Sequence, residues 1–181
     1  MQEEVTNQTE QQEVDGRKPL PASAQTFSRQ FLIRHVFRAG AIVWVKHRGQ
    51  DFYVVFKSHS RPNRGVQLPG GRVEKTENTA QCAVREVYEE TGIQTKVVCP
   101  LGFLHFENKD DSYSNMQTYF IVKPIEPIDP EEVWKHIDLD YSKQDLEVWC
   151  VPVGKNPSFL SVGQDRVVHM FRKWLKDHKR G

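Results

Sequence analysis

The stretch GGRVEKTENTAQCAVREVYEETGI, Gly70 to Ile93, carries the most structural information in the chain. From Asn78 to about Thr91 its apolar residues recur at a helical period. At about 100° per residue, Ala80, Ala83, Val84 and Val87 share one face, which should lie on a core. Asn78 can cap the first turn, with Gln81 three residues on completing a capping box. Gly92 supplies the left-handed residue that ends the helix. Glu86, Glu89 and Glu90 fall together on a different face.

Carboxylates one turn apart repel when no cation lies between them. The residues alone leave two readings, a solvated acidic face or a site for a hard divalent ion, which prefers oxygen ligands. Gly70 and Gly71 add weight to the second, since a tight turn there can aim a carbonyl at the same point. Arg85 lies at the edge of the acidic constellation. Glu77 is eight residues earlier, too far for a helical pair. Each reads as a surface charge, or together as a bidentate clamp of loop on helix. Cys82 stands one turn before Glu86, where neighbouring carboxylates disfavour a thiolate.

Around this helix the chain reads as strands. Phe31–Val45 looks extended, with a break near Arg38–Gly40. Asp51–Lys57 follows across the turn KHRGQ, and Ile93–Glu107 and Met116–Pro124 flank the polar turn NKDDSYSN. Leu146–Val153 is a last strand, where Cys150, like Cys99 earlier, reads as a structural thiol. The segment SHSRPNRGVQLPGG, Ser58 to Gly71, is punctuated as a loop. IEPIDPEEVWKHIDLD, with two prolines, reads as a connection containing a short helix. Gln164–Lys179 is an amphipathic helix with Val167, Val168, Phe171, Trp174 and Leu175 near one face. Strands surrounding two helices predict an α/β sandwich in which helices cover a mixed sheet. Residues 1–28, rich in Gln, Glu and Asn, read as a flexible N-terminal arm, and 29–181 as one domain.

The bulk properties narrow the function. The chain has 181 residues, 38% hydrophobic and 27% charged, with a formal net charge of +1. That balance fits a globular protein and gives no long-range field for a nucleic-acid backbone, so any phosphate site must be local. Three scattered cysteines build no disulfide framework. With no secretory leader and no apolar run long enough for a bilayer, a soluble cytoplasmic protein, off the membrane, is the expectation.

Gly71, Glu77, Arg85, Glu86, Val87, Glu89, Glu90, Gly92 and Ile93 occupy every fixed position of the Nudix box, nine positions in a window of 23 residues. The chain therefore resembles the Nudix (MutT-like) hydrolases. The resemblance implies an α/β/α sandwich with the box as loop, helix and loop. It further implies Mg²⁺ or Mn²⁺ held by Glu86, Glu89 and Glu90, with the Gly70 carbonyl as a further ligand and Glu77 and Arg85 as a structural pair. The implied reaction is attack of water on a phosphoanhydride, with metal polarising the substrate and activating the water. Glu86 and Glu147 are the candidate bases. Asp145, Glu107 and Asp110 are further acidic residues downstream of the box.

Arg61, Arg64 and Arg72 surround the glycine-rich loop, and Arg38 and Lys57 lie on neighbouring strands; all five are candidates for substrate phosphates. Tyr113 and Trp149 are candidate walls for a base, with core packing the stronger reading of Phe52, Phe103 and Tyr119. His59 and His105 are not expected in a hard carboxylate site. The sequence LPGG before the box resembles that of enzymes acting on nucleoside triphosphates or nucleotide sugars. A small nucleotide-like substrate is expected, first a nucleoside triphosphate, oxidised ones included. The alternatives are a nucleotide sugar, an RNA 5′ end, or a nucleotide-binding Nudix module without catalysis. A monomer and a homodimer are both compatible with the sequence.

Overall fold

A computed structural model describes residues 34–108, 113–140, 143–157, 160–161 and 163–178. These belong to a compact unit spanning Arg34–Gly181, separate from Met1–Ile33. The arm expected at residues 1–28 lies outside the described residues.

The elements run β1 (Arg34–His47), β2 (Gln50–Ser58), a 3₁₀ turn (Pro62–Arg64), β3 (Val66–Gln67), β4 (Gly70–Arg72), α1 (Thr79–Thr91), β5 (Thr95–Asn108), β6 (Tyr113–Pro124), β7 (Val133–Ile137), β8 (Asp145–Pro152) and α2 (Gln164–His178). The strands form a mixed sheet in the order β5-β6-β1-β2-β8-β7, with β3 against β2 and β4 against β1. The β1–β6 pairing is parallel and the others are antiparallel.

Side chains alternate across this sheet with a period of two, and each face is closed by one helix. On one face Ala39, Ala41, Val43, Val54, Phe56 and Val148 pack with Cys82, Ala83 and Val87 of α1. On the other, Ile42, Tyr53, Val55 and Ile121 pack with Val167, Val168, Phe171 and Leu175 of α2. Ala83 and Val87 of α1 are buried as read from the sequence, with Ala80 partly buried against them and Val84 left half-exposed at the edge, and α2 buries Val167, Val168, Phe171 and Leu175 with Trp174 packed beside them. No helix among the described residues is long and apolar enough to cross a membrane.

The sheet divides at β1. Trp44–His47 pair with β2, whereas Arg38–Gly40 pair with β4. The Ala41 N–H donates to the Pro69 carbonyl at 3.0 Å, between the two ladders. β2 and β4 therefore part along one edge of β1, and a cleft opens between them.

Two expectations change. The break near Arg38–Gly40 is absent, because these residues are paired on both sides, by β4 and β6. Gly40 marks a close approach: a Cβ there would lie 2.7 Å from the ring of buried Tyr119. The short helix expected in IEPIDPEEVWKHIDLD is instead β7, pairing residue for residue with β8. Val133, Lys135 and Ile137 point outward while Trp134 and His136 turn inward, a two-residue alternation that a helix would scramble.

Gly40→Ala should drive a methyl group against a ring that cannot retreat, lowering stability by about 1–3 kcal/mol. A urea titration that left the unfolding midpoint unchanged would mean that Tyr119 can give way.

Candidate active site

The helix α1 is fixed at both ends. Asn78 Oδ1 accepts from the N–H groups of Ala80 at 3.0 Å and Gln81 at 2.9 Å, and Gln81 Oε1 accepts from the Asn78 N–H at 2.9 Å, completing the expected capping box. At the other end Gly92 adopts φ 76° and its N–H donates to the Tyr88 carbonyl. Strand β7 and the residues after it satisfy the last carbonyls. His136 Nε2 and the Leu139 N–H both donate to the Glu89 carbonyl, at 3.0 and 3.1 Å, and Trp134 Nε1 donates to that of Thr91 at 3.0 Å. These are among the carbonyls that a helix end leaves without intrahelical partners.

Arg85 organises the acidic face. Its Nε and Nη2 donate to the two carboxylate oxygens of Glu77 at 3.0 and 2.7 Å, the bidentate clamp that helix spacing alone could not supply. The same guanidinium donates to Glu89 Oε2 at 2.6 Å and to the Arg72 carbonyl at 3.1 Å, and lies 3.0 Å from Glu86 Oε1. Loop and helix are thereby joined through one side chain. These hydrogen bonds hold the Glu77 carboxyl at about 2, well below the ordinary range. Burial pushes Glu86 the other way, to about 7, against the pull of Arg85. Glu90 is also raised well above its ordinary value, first by burial and then by the charge of Glu86. Its Oε2 accepts the Gly70 N–H at 2.8 Å. The Cys82 thiol is raised to about 12 by burial, with Glu77 and Glu86 adding to the effect.

The double glycine is dictated by this packing. Gly70 has φ 159°, and a Cβ there would sit 2.6 Å from the Ala39 carbonyl oxygen. A Cβ on Gly71 would collide with the Glu86 carboxylate itself. The absent side chain is what lets a buried carboxylate reach the loop.

The cleft between β2 and β4 has a volume of about 880 Å³. Gly70, Glu86 and Glu90 line it, as do Arg38, Arg61, Arg64 and Arg72, so segments distant in sequence converge on one space. Arg61 and Arg64 are carried by the 3₁₀ turn. Ser58 Oγ accepts the Arg61 N–H at 3.2 Å and donates to Gln144 Oε1 at 2.7 Å, tying that turn to the segment before β8. Asp138, Asp140 and Gln144 also line the cleft. Sequence reading passed over these three. The only local signal was the cluster DLD in a segment taken for a connection. Asp138 is buried, and its charge contributes to the upward shift of Glu90.

Other candidates are not brought to the cleft. Lys57 pairs with Glu147, and Val55 with Trp149, in the β2–β8 ladder. Val66, opposite Lys57 on β3, packs with the α2 core, as does Trp149. Strand alternation therefore turns Lys57, Glu147 and Trp149 toward the α2 side, away from Glu86 and Glu90. Tyr113 lies on β6, with its side chain outside the described set, as is that of Glu107; Asp110 falls outside the described residues altogether. Asp145 is exposed at the start of β8.

The donor set available to a cation consists of oxygens: the carboxylates of Glu86 and Glu90, that of Glu89 beside them on Arg85, and backbone carbonyls of the glycine turn. Such a set fits Mg²⁺ or Mn²⁺ better than a softer ion. Two carboxyl groups with raised proton affinity, one buried and one half-buried on the same cleft, are a place where added positive charge is favoured. Among the described residues no three carboxylate, imidazole or thiolate groups gather about one point, Glu89 being engaged by Arg85.

The family model "NUDIX domain" matches residues 35–153. YtkD of Bacillus subtilis (strain 168), named for a proposed 8-oxo-dGTP diphosphatase activity, is 32% identical over 117 residues, 64% of this chain and 69% of that protein. Diphosphoinositol polyphosphate phosphohydrolase 2 of Mus musculus is 30% identical over 108 residues, 60% of this chain; the match spans only about half of that protein, 55%. Among solved structures, a binary complex of the C. elegans Ap4A hydrolase superposes with a TM-score of 0.58 at 20% identity, covering 78% of this chain and 98% of that one.

The clamp on Glu77 should be visible in acid. A carboxyl depressed from 4.5 to about 2 contributes stability that is present above pH 4.5 and lost as pH falls toward 2. Urea unfolding across that range should show wild type more stable than Glu77→Gln by a constant margin above pH 4.5, closing below it. A margin independent of pH would place the benefit of Glu77 outside its charge.

Proposed function

This chain belongs to the Nudix hydrolase family, and from that premise we propose that it hydrolyses, with a divalent metal ion, a phosphoanhydride bond in a nucleoside diphosphate derivative. The observation that carries this reading is the convergence in one cleft of buried Glu86 and half-buried Glu90 with the cationic side chains of Arg38, Arg61, Arg64 and Arg72. Our first choice of substrate is a nucleoside triphosphate, oxidised ones included. The relatives, one named for a proposed 8-oxo-dGTP diphosphatase activity and one a diphosphoinositol polyphosphate phosphohydrolase, support a phosphoanhydride as the bond that is cut.

Glu86, Glu89 and Glu90 are the residues that would hold Mg²⁺ or Mn²⁺, with the Gly70 carbonyl as a further ligand. When bound, the ion screens phosphate charge and lowers the pKa of water. The protein supplies the rest. Arg61, Arg64 and Arg72 form no ion pair among the described residues, so their charge is free to receive phosphate oxygens, and a guanidinium can do so with two parallel N–H groups. Arg38 stands close enough to Glu86 and Glu90 to influence both and can neutralise the phosphate nearest them. Glu86 is the carboxylate assigned to take the proton of the attacking water. It is buried at the wall of the cleft, beside the place where the attacking water would be activated. Glu147, facing the other side of the sheet, is set aside. Glu77 and Arg85 hold loop and helix in register.

A screen of dNTPs, oxidised dNTPs, nucleotide sugars, dinucleoside polyphosphates and 5′-triphosphate RNA, with Mg²⁺ or Mn²⁺, tests the reading. Turnover should depend on added metal and fall by about 10²-fold or more in Glu86→Gln. Before metal is added, Glu86 carries a proton below about pH 7, so metal affinity should rise with pH through that region as the proton is displaced. Turnover unaffected by Glu86→Gln would remove this residue from the chemistry. Tight nucleotide binding without turnover on any substrate would favour a binding module.

A further inference from the structure

The cleft is not the only recess beside the glycine turn. A second, of about 520 Å³, is lined by His35 and Phe37 of β1, by Arg72, Val73 and Glu74, and by the start of α1. Arg72, Val73 and Glu74 line both spaces, so the two adjoin across the end of β4. They differ in character. Four arginines besides Arg85 border the first, whereas the second has only Arg72, with Glu74 and Glu77, and adds the exposed ring of Phe37.

Phe37 is 55% exposed, unusual for a phenylalanine in the interior of a long strand. It lies on the face of the sheet that carries Ala39 and Ala41 under α1, but beyond the point where the helix covers it. The ladder places it opposite Met116, which pairs in turn with His105, and Met116 is also exposed. The edge of this surface is fastened. Ser114 is buried, and its hydroxyl lies 3.2 Å from His35 Nδ1 and 2.9 Å from His105 Nε2, so it can donate to one ring and accept from the other. The strand beneath Phe37 is held too, by the Val73 N–H donating to the Phe37 carbonyl at 3.0 Å.

A flat apolar ring on a held strand, one residue from an arginine that reaches the phosphate cleft, suits a ligand with a planar end and an anionic end. We propose that the nucleobase of the substrate stacks on Phe37 in this recess while its phosphates cross Arg72 into the neighbouring cleft. The carboxylate of Glu74 at the junction suits the N–H donors of a base edge. This assignment rests on the nucleotide reading given above and adds the residue that recognises the base.

The test is equilibrium binding, by calorimetry in Mg²⁺, of a non-hydrolysable nucleoside triphosphate analogue and of inorganic triphosphate to the full chain and to Phe37→Ala and Phe37→Trp. Loss of a stacking ring should weaken the nucleotide about tenfold in Phe37→Ala, leave inorganic triphosphate unchanged, and be restored by Phe37→Trp. Equal weakening of both ligands, or no weakening of either, would overturn the assignment. Because binding is read without turnover, the two proposals separate. Phe37-dependent binding in a protein that cleaves nothing would leave the recess standing and remove hydrolysis. Nucleotide turnover with an unchanged KM in Phe37→Ala would do the reverse.

Discussion

The guanidinium of Arg85 is the contact on which the site depends. It meets Glu77 with two hydrogen bonds, Glu89 with a third and the Arg72 carbonyl with a fourth, and it lies against Glu86. Three carboxylates on or near a single helix would repel one another if left to themselves. One planar cation among them turns that repulsion into a fixed geometry, and does so with a side chain whose charge cannot be titrated away in the working range. The contact also crosses from helix to loop, so the glycine turn, the acidic face and the start of α1 form one rigid piece.

That rigid piece has an energetic tension within it. Glu77 is held strongly ionised by Arg85, while Glu86 and Glu90, deeper in the protein, are pushed toward their neutral forms. The difference comes from desolvation, which outweighs the attraction of a single guanidinium already shared with other partners. A structure optimised for stability alone would replace such carboxylates with apolar groups. Their retention beside a cleft bordered by arginines is the arrangement expected where an added cation and a polyanion meet.

The rest of the fold positions this piece. The sheet parts at β1, where β4 and β2 take successive lengths of the same edge, and the gap between them becomes the cleft. β7, through Trp134 and His136, and Leu139 just beyond it close the far end of α1 by satisfying its last carbonyls. The glycines Gly40 and Gly71 are the sites where backbone must approach a ring or a carboxylate too closely for any side chain.

What could be read from sequence was what lies within one element or follows from fixed local spacing. The caps of α1, its buried stripe of Ala83 and Val87, its acidic face, the amphipathic pattern of α2 and the box itself are set by neighbours a few residues apart. Other features depend on which distant segments pair, and in what register. Sequence places Arg61 and Arg64 near the glycine-rich loop and Arg38 on a neighbouring strand, but their convergence on one cleft follows from strand pairing. The strand character of Val133–Ile137 was hidden by its prolines and acidic neighbours, and with it the position of Asp138. A slip of β8 by one residue against β2 would have turned Glu147 into the cleft in place of Leu146. The sequence by itself determined the chemistry that α1 carries, because helical periodicity fixes which side chains share a face. Only the tertiary structure decided which charges that helix meets, because strand register is set by packing between segments that the local sequence does not bring together.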